Sequence, residues 1–215
     1  MMSDTTRDQI AQLRIGGRPL VICDVDEVVV HFTRELEDHF EGVGLYLSPV
    51  SFALNGNVRR KDDHSPVETP EVMAHIDQVF RERTLHMQPI DGAIEALLHF
   101  GQRADVVMLT NLPHEAGDKR RLNLAGLGLP YPVVTNSGAK GPAIRALADM
   151  AQGPVVFIDD SPQFIASAYE YAPHVHLVHF LHDERFARHV EPFDYVSLHT
   201  DSWDEIGPHV LKLLG

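Results

Sequence analysis

Residues able to do nucleophilic, acid–base or cation chemistry stand at four separated places in the sequence. Three of these places directly follow a short apolar run, and the remaining one opens a helical pattern. Side chains that follow buried parallel strands meet at one edge of a sheet, so we expect one site built from distant parts of the chain. In order, the four places are Asp24 and Asp26 in the segment Asp24-Val25-Asp26-Glu27-Val28, then Thr110, then Lys140, and then Asp159 with Asp160.

These residue types match the requirements of phosphoryl transfer. A carboxylate such as Asp24 can attack phosphorus and form an acyl phosphate, which splits one difficult step into two easier ones. A second acid two positions later, Asp26, can protonate the leaving alcohol and then deprotonate the attacking water. The hydroxyl of Thr110 and the ammonium of Lys140 can hold the phosphoryl oxygens while charge develops on them.

The acidic residues also predict a metal ion. Four carboxylates that converge on one place repel one another unless a cation offsets their charge. Mg²⁺ takes oxygen ligands of this type, so magnesium is the expected cofactor.

Apolar runs of strand length alternate with stretches of helical periodicity. The clearest runs cover residues 20–23, 106–109 and 155–158, with weaker ones at 133–134 and 174–181. Runs this short and this uniformly apolar are typical of strands buried on both faces of a parallel sheet. The alternation predicts an open α/β sheet with helices on both faces. The expected helices lie at 90–100, 114–125, 141–150 and 162–171.

The interval between the first strand and residue 86 interrupts this alternation. A short acidic helix is expected at 33–40 and a hairpin at 51–60, where Asn55-Gly56 is a strong signal for a two-residue turn. Thr69-Pro70-Glu71 then predicts the start of a second helix, with Thr69 as N-cap. We interpret residues 34–85 as a small cap inserted into a core formed by residues 1–33 and 86–215.

The order Asp24-x-Asp26-x-Val28, Thr110, Lys140, Asp159-Asp160 resembles the haloacid dehalogenase-like hydrolases, and the resemblance extends from Leu20 to about Ile165. It implies a Rossmann-like three-layer sandwich with a mainly parallel sheet plus the inserted cap. By this resemblance Asp24 is the nucleophile, Asp26 the general acid/base, and Thr110 and Lys140 bind the phosphoryl group. The magnesium site would consist of Asp24, the main-chain carbonyl of Asp26, Asp159 and Asp160.

Five residues have roles that the sequence leaves open. Asn111 is either a phosphate-binding residue or a turn residue at a strand end. Glu27 stands where phosphatases of this family often have a small residue such as Gly, and its carboxylate either points away or narrows the pocket and restricts the substrate. Arg59 and Arg60 could grip an anionic substrate from the cap, although a solvated hairpin end is the alternative. Asp160 could bind the metal directly, or it could orient the loop amides near the metal without contacting it.

Composition restricts the partners. The chain has 18 Lys and Arg against 31 Asp and Glu, for a net charge of −13, which repels nucleic-acid phosphates and anionic lipid. No run approaches the roughly 20 apolar residues that span a bilayer. The single cysteine, Cys23, and the polar N-terminal segment favour a cytoplasmic location. We expect a small phosphate ester as substrate, and neither nucleic acid nor membrane as partner.

The predicted reaction is hydrolysis of a phosphomonoester through an aspartyl-phosphate, and three alternatives remain. A dehalogenase uses the same nucleophile without metal but lacks the second aspartate, so Asp26 disfavours it. A phosphonatase needs an amine in the cap, where Lys61 is the only lysine. A non-catalytic module that binds phosphate or metal is the third, and Glu27 is the one feature in its favour.

Overall fold

The computed structural model of the protein describes residues 2–215. Five of its eight strands lie on the apolar runs of the sequence. The strands are β1 (Leu20–Cys23), β2 (Leu45–Leu47), β3 (Val58–Arg60), β4 (Asp105–Thr110), β5 (Val133–Thr135), β6 (Val155–Asp159), β7 (His176–Phe180) and β8 (Leu198–Thr200). The helices are α1 (Asp4–Ala11), α2 (Phe32–Gly42), α3 (Thr69–Arg83), α4 (Ala93–Arg103), α5 (Gly117–Gly126), α6 (Gly141–Ala148), α7 (Pro162–Tyr171), α8 (Glu184–Ala187) and α9 (Trp203–Leu214).

Six strands form one sheet in the order β5-β4-β1-β6-β7-β8, and all of their pairings are parallel. Every residue of β1 is buried, because the sheet is covered on both faces. The side chains alternate between two apolar clusters: Val21 and Cys23 belong to one, and Leu20 and Ile22 to the other. The predicted Rossmann-like three-layer sandwich with a mainly parallel sheet is confirmed.

The helices divide between these two clusters. Helices α4 and α9 contribute to the cluster that contains Val21, and α1, α6 and α7 to the cluster that contains Leu20. Helix α4 begins three residues later than the sequence indicates, because Gly92 adopts φ 80° and a turn precedes the helix. None of the helices in residues 2–215 has the length and apolar character needed to cross a bilayer.

The segment interpreted as a cap, residues 34–85, contains most of helix α2, helix α3 and the antiparallel pair β2–β3. The hairpin predicted at 51–60 is wrong, because β3 pairs with Leu45–Leu47 and residues 48–57 form the loop between them. The buried side chain of Asn57 stabilises the conformation of this loop. Its Oδ1 accepts from Val50 N at 3.0 Å, and its Nδ2 donates to the carbonyl of Ser51 at 2.8 Å. Helix α3 begins at Thr69, with Glu68 rather than Thr69 as N-cap.

Two neighbouring segments connect the cap to the core. Val30 pairs with Pro89, and Ile90 N donates to the carbonyl of Val29 at 2.8 Å. The segment that follows Asp26 is also held by a side chain of the core, since the indole of Trp203 donates to the carbonyl of Val28 at 2.9 Å. The C-terminal helix α9, which begins at Trp203, therefore supports the loop that carries the first acidic residues.

We predict that Trp203→Phe lowers the free energy of unfolding by about 2 kcal/mol, because the buried carbonyl of Val28 loses its donor. Urea denaturation measures this difference. Tyr169→Phe is the matched control, since Tyr169 is exposed and a change of less than about 0.5 kcal/mol is expected there. Equal effects of the two substitutions would contradict the supporting role of Trp203.

Candidate active site

Three strands bring the predicted residues together at their carboxyl ends. Asp24 directly follows β1, Thr110 ends β4 and Asp159 ends β6. Since β1 lies between β4 and β6, these three ends are adjacent. The backbone of Asp24 continues the sheet, because its N–H donates to the carbonyl of Ile158 at 2.9 Å.

Lys140 lies between two of these acids. It precedes helix α6, its side chain is fully buried, and its Nζ is 2.6 Å from Asp24 Oδ1 and 2.7 Å from Asp159 Oδ2. Burial alone would lower the pKa of Lys140, but the charges of Asp159 and Asp24 raise it above the ordinary value. The ammonium is therefore a permanent positive charge in the centre of the site.

Asp26 is held by two donors. The hydroxyl of Thr110 donates to Asp26 Oδ2 at 2.9 Å, and the guanidinium of Arg120 forms an ion pair with Asp26 Oδ1. Arg120 is fully buried, and it also donates to Asn123 Oδ1 at 3.1 Å. Asn123 in turn donates to the carbonyl of Met87 at 3.0 Å, which fixes the guanidinium from behind.

Sequence reasoning missed Arg120, which lies within the polar stretch Asp118-Lys119-Arg120-Arg121. The helical spacing of Arg120 relative to apolar residues does indicate that it is buried. Arg120 lies four residues from both Ala116 and Leu124, and all three are buried, so it shares the inward face of the helix. A charged residue at such a position needs a buried partner of opposite charge.

A tight turn places Asp26 and Glu27 directly after Asp24. The carbonyl of Val25 accepts hydrogen bonds from the N–H groups of Val28, Val29 and Val30, the shortest being 2.8 Å from Val29. Glu27 adopts φ 63°, the left-handed region that favours glycine. This backbone explains why a glycine suits the position.

The Glu27 carboxylate is fully engaged. His182 Nε2 donates to Oε1 at 2.7 Å, and the backbone N–H of Thr33 donates to Oε2. Although burial would raise the pKa of Glu27, these hydrogen bonds hold it below the ordinary value. The oxygens of Glu27 also lie within 4.8 Å of ring nitrogens of His31 and His182. The contact with His182, more than 150 residues away, leaves no trace in local sequence.

Asp24, Asp159 and Asp160 form the strongest candidate for a cation site. Each offers an oxygen that lies within 4.8 Å of the others. Burial, with the nearby charges of Asp159 and Asp26, raises the pKa of Asp24 to about 7 despite the opposing effect of Lys140. Burial and the neighbouring acids likewise raise the pKa of Asp160 well above its ordinary value.

This donor set fits Mg²⁺. The buried Asp24 Oδ1, although close to Lys140, accepts no hydrogen bond of suitable geometry. Three carboxylates with a single ammonium among them leave excess negative charge that a divalent cation would offset. Asp159 Oδ1 accepts from the N–H of Ser161 at 2.8 Å, which fixes this carboxylate in orientation. His179 Nε2 donates to the main-chain carbonyl of Asp160 at 2.9 Å, which fixes the backbone that carries the third acid.

Asn111 connects the end of β4 to the segment before Lys140. Its Nδ2 donates to the carbonyl of Gly138 at 2.7 Å, and its Oδ1 accepts from Asn136 at 2.9 Å. Asn111 also lines the cavity above the site. Its side chain thus orients the loop that carries Lys140.

A cavity of about 790 Å³ opens over these residues, between core and cap. Asp24, Asp26, Glu27 and Asp160 line its polar end. The structure does not bring Arg59 and Arg60 to this cavity; they lie on β3, where Arg60 pairs with Glu71 at 2.7 Å.

We predict that Arg120→Met lowers the free energy of unfolding by about 3 kcal/mol, because the charge of Asp26 is left without its buried partner. Chemical denaturation measures the loss, and the second substitution Asp26→Asn should restore part of it in a double-mutant cycle. Arg121→Met, at the exposed neighbouring position, is the control. Additive losses in the cycle would show that the two side chains are not coupled.

We also predict that Mg²⁺ binds more tightly at about pH 8 than at about pH 6. With a pKa of about 7, Asp24 holds a proton at the lower pH, and that proton must leave before the carboxylate binds a cation. The same raised pKa means that the folded metal-free protein binds more protons than the unfolded chain, so its stability falls as pH rises from about 4 to about 7.

Thermal denaturation in Mg²⁺ and in chelator, at several pH values, measures this dependence. The rise in Tm caused by Mg²⁺ should increase from the lower to the higher pH, and Asp24→Asn should reduce that increase. A rise independent of pH would contradict the assignment.

The sequence matches no protein-family model and no curated protein. Its structure is similar to solved structures of hydrolases. A haloacid dehalogenase-like family hydrolase from Streptococcus pneumoniae superposes with a TM-score of 0.61 at 11% identity, over 90% of this chain and 98% of that one. A HAD-hydrolase from Bacillus subtilis bound to magnesium gives 0.59 at 12% identity, over 90% and 98% of the two chains.

A HAD family hydrolase from Deinococcus radiodurans with bound phosphate and sodium gives a TM-score of 0.56 at 16% identity, over 90% of this chain and 95% of that one. A structure described as a dehalogenase is also among the matches, so the shared fold does not specify one reaction. The chain therefore has the fold of the haloacid dehalogenase-like hydrolases.

Proposed function

We propose that this protein is a Mg²⁺-dependent phosphomonoester hydrolase that acts through an aspartyl-phosphate on Asp24. The observation that carries the proposal is the arrangement of Asp24 and Asp159 about the buried Lys140, with Asp26 held beside them by Thr110 and Arg120. This is the set of groups that phosphoryl transfer requires, at the sheet edge where such folds bind ligands.

In the first step a carboxylate oxygen of Asp24 attacks phosphorus, and the bond from phosphorus to the ester oxygen breaks. Asp26 gives a proton to the departing alcohol. In the second step Asp26 takes a proton from water, whose oxygen attacks phosphorus and releases Asp24 and inorganic phosphate. Arg120 and Thr110 keep the Asp26 carboxyl in one orientation through both steps.

The charges around Asp24 favour this chemistry. Lys140 offsets part of the negative charge of Asp24 and Asp159, and so allows a phosphate dianion to approach. Mg²⁺, held by Asp24, Asp159, Asp160 and the main-chain carbonyl of Asp26, would supply the remaining positive charge. The cap forms one wall of the cavity, which would limit the access of bulk water and favour a small substrate.

Specific contacts disfavour the alternatives. A phosphonatase needs a cap amine in the cavity, but Lys61 pairs with Glu41, and no lysine of residues 2–215 lines the cavity. A metal-free dehalogenase has no use for Asp26, which here has two dedicated donors. The case for a non-catalytic module rests on Glu27 alone. Its carboxylate has structural partners of its own, because it accepts hydrogen bonds from His182 and Thr33.

The proposal is tested by phosphate release from a panel of small phosphate esters, with Mg²⁺ or with chelator. We expect release that requires Mg²⁺ and falls at least about 10³-fold in Asp24→Asn, because the nucleophile is lost. Asp26→Asn should lower kcat by roughly 10²- to 10⁴-fold.

Asp149→Asn is the matched control for these variants, since Asp149 is a surface carboxylate paired with Arg145 and should leave the rate unchanged. Release by Asp24→Asn at the wild-type rate would contradict the proposal.

A further inference from the structure

Beyond its polar end, the cavity over Asp24 is walled mainly by apolar side chains from both parts of the chain. The most prominent are Phe52, Met73 and Phe80 from the cap, and Phe164, Phe186 and Phe193 from the core. The same cavity contains Asp24 and Asp26, so a phosphate ester bound at Asp24 would place its alcohol portion among these side chains.

Aromatic contacts hold this wall together. The ring of Phe52 in the cap loop meets that of Phe186 in α8 edge to face, with centroids 6.3 Å apart. Phe80 stacks on Phe32 with centroids 4.8 Å apart. The apolar wall begins next to the reacting groups, because the ring centroid of Phe164 is only 4.7 Å from Lys140 Nζ.

Charge excludes several classes of substrate. No lysine or arginine of residues 2–215 lines the cavity. Of its acids beyond the catalytic cluster, Glu27 is bonded to His182 and Asp183 pairs with Arg185 at 2.7 Å. Glu191 adds a further carboxylate to the lining. A second phosphate or a carboxylate on the substrate would find no lysine or arginine there, and a polyhydroxylated sugar would leave most of its hydroxyls against hydrocarbon.

An exposed methionine supports the same conclusion. Met73 on α3 is 44% exposed, yet its side chain faces this cavity. Methionine is common at surfaces that bind apolar groups, because its flexible side chain adapts to their shape.

We propose that the substrate is a monophosphate ester of an uncharged aromatic or branched aliphatic alcohol, whose apolar portion fills this cavity. The inference rests on the proposed function, which places the phosphate at Asp24. A volume of about 790 Å³ accommodates a small ring system together with the phosphate.

The first test compares kcat/KM for 2-phenylethyl phosphate, glucose 6-phosphate and fructose 1,6-bisphosphate with the wild-type protein and Mg²⁺. Glucose 6-phosphate and 2-phenylethyl phosphate both release a primary alcohol, so intrinsic reactivity does not decide the comparison. We expect at least about 100-fold preference for the phenylethyl ester. Equal or better turnover of either sugar phosphate would overturn the inference while leaving the proposed function intact.

A binding measurement separates the two proposals. Calorimetry with Asp24→Asn and Mg²⁺ measures the affinities of 2-phenylethyl phosphate and glucose 6-phosphate without turnover. Tighter binding of the phenylethyl ester, together with no phosphate release by the wild type from any ester, would overturn the proposed function and support the apolar cavity. Absence of a preference in binding would overturn the inference.

Substitutions at Met73 test whether the alcohol portion of the substrate binds against this wall of the cavity. Met73→Ala and Met73→Lys should lower kcat/KM for 2-phenylethyl phosphate by at least about fivefold. Leu98→Ala and Leu98→Lys are the matched controls, because Leu98 is a helical residue of similar exposure, 40%, that does not line the cavity. Unchanged kcat/KM in both Met73 variants would overturn the placement of the alcohol portion.

Discussion

The buried ion pairs of Lys140 with Asp24 and Asp159 are the constraint on which the rest of the site depends. All three groups are withdrawn from water, and none could keep its charge there alone. They belong to three separate elements, the ends of β1 and β6 and the start of α6, so their mutual attraction fixes these elements at one point. Two carboxylates face one ammonium, and Asp160 adds a third carboxylate, so a divalent cation would offset the excess negative charge of the ionised site.

The sheet holds the backbone of Asp24 in place, and neighbouring side chains orient the carboxylate of Asp26. Strand β1 is paired on both sides, so the backbone from which Asp24 leaves the sheet is held by two neighbours. Asp26 would be free to turn in the loop that follows, but Thr110 and the buried Arg120 hold it. The proposed proton transfer by Asp26 requires such fixed geometry, which the buried arginine supplies.

Much of this arrangement could be predicted from the sequence, because the uniformly apolar runs identify buried strands and place Asp24, Thr110 and Asp159 at their ends. Local patterns failed where distant contacts decide. Asn55-Gly56 indicates a tight hairpin, but buried Asn57 stabilises a wider loop. Arg120 lies in a polar stretch of sequence, and its partner Asp26 is distant along the chain. Glu27 likewise meets its partner His182 only in the folded chain. The apolar cavity combines residues of cap and core that no single segment contains.

The central claim is that Asp24 becomes phosphorylated during turnover. Rapid acid quenching of the wild-type protein with Mg²⁺ and a phosphate ester, followed by peptide mass spectrometry, tests it most directly. The account predicts one phosphoryl group on the peptide that contains Asp24, labile in base and absent when Mg²⁺ is removed. Turnover with no phosphorylated Asp24, or with the phosphoryl group on another residue, would contradict it.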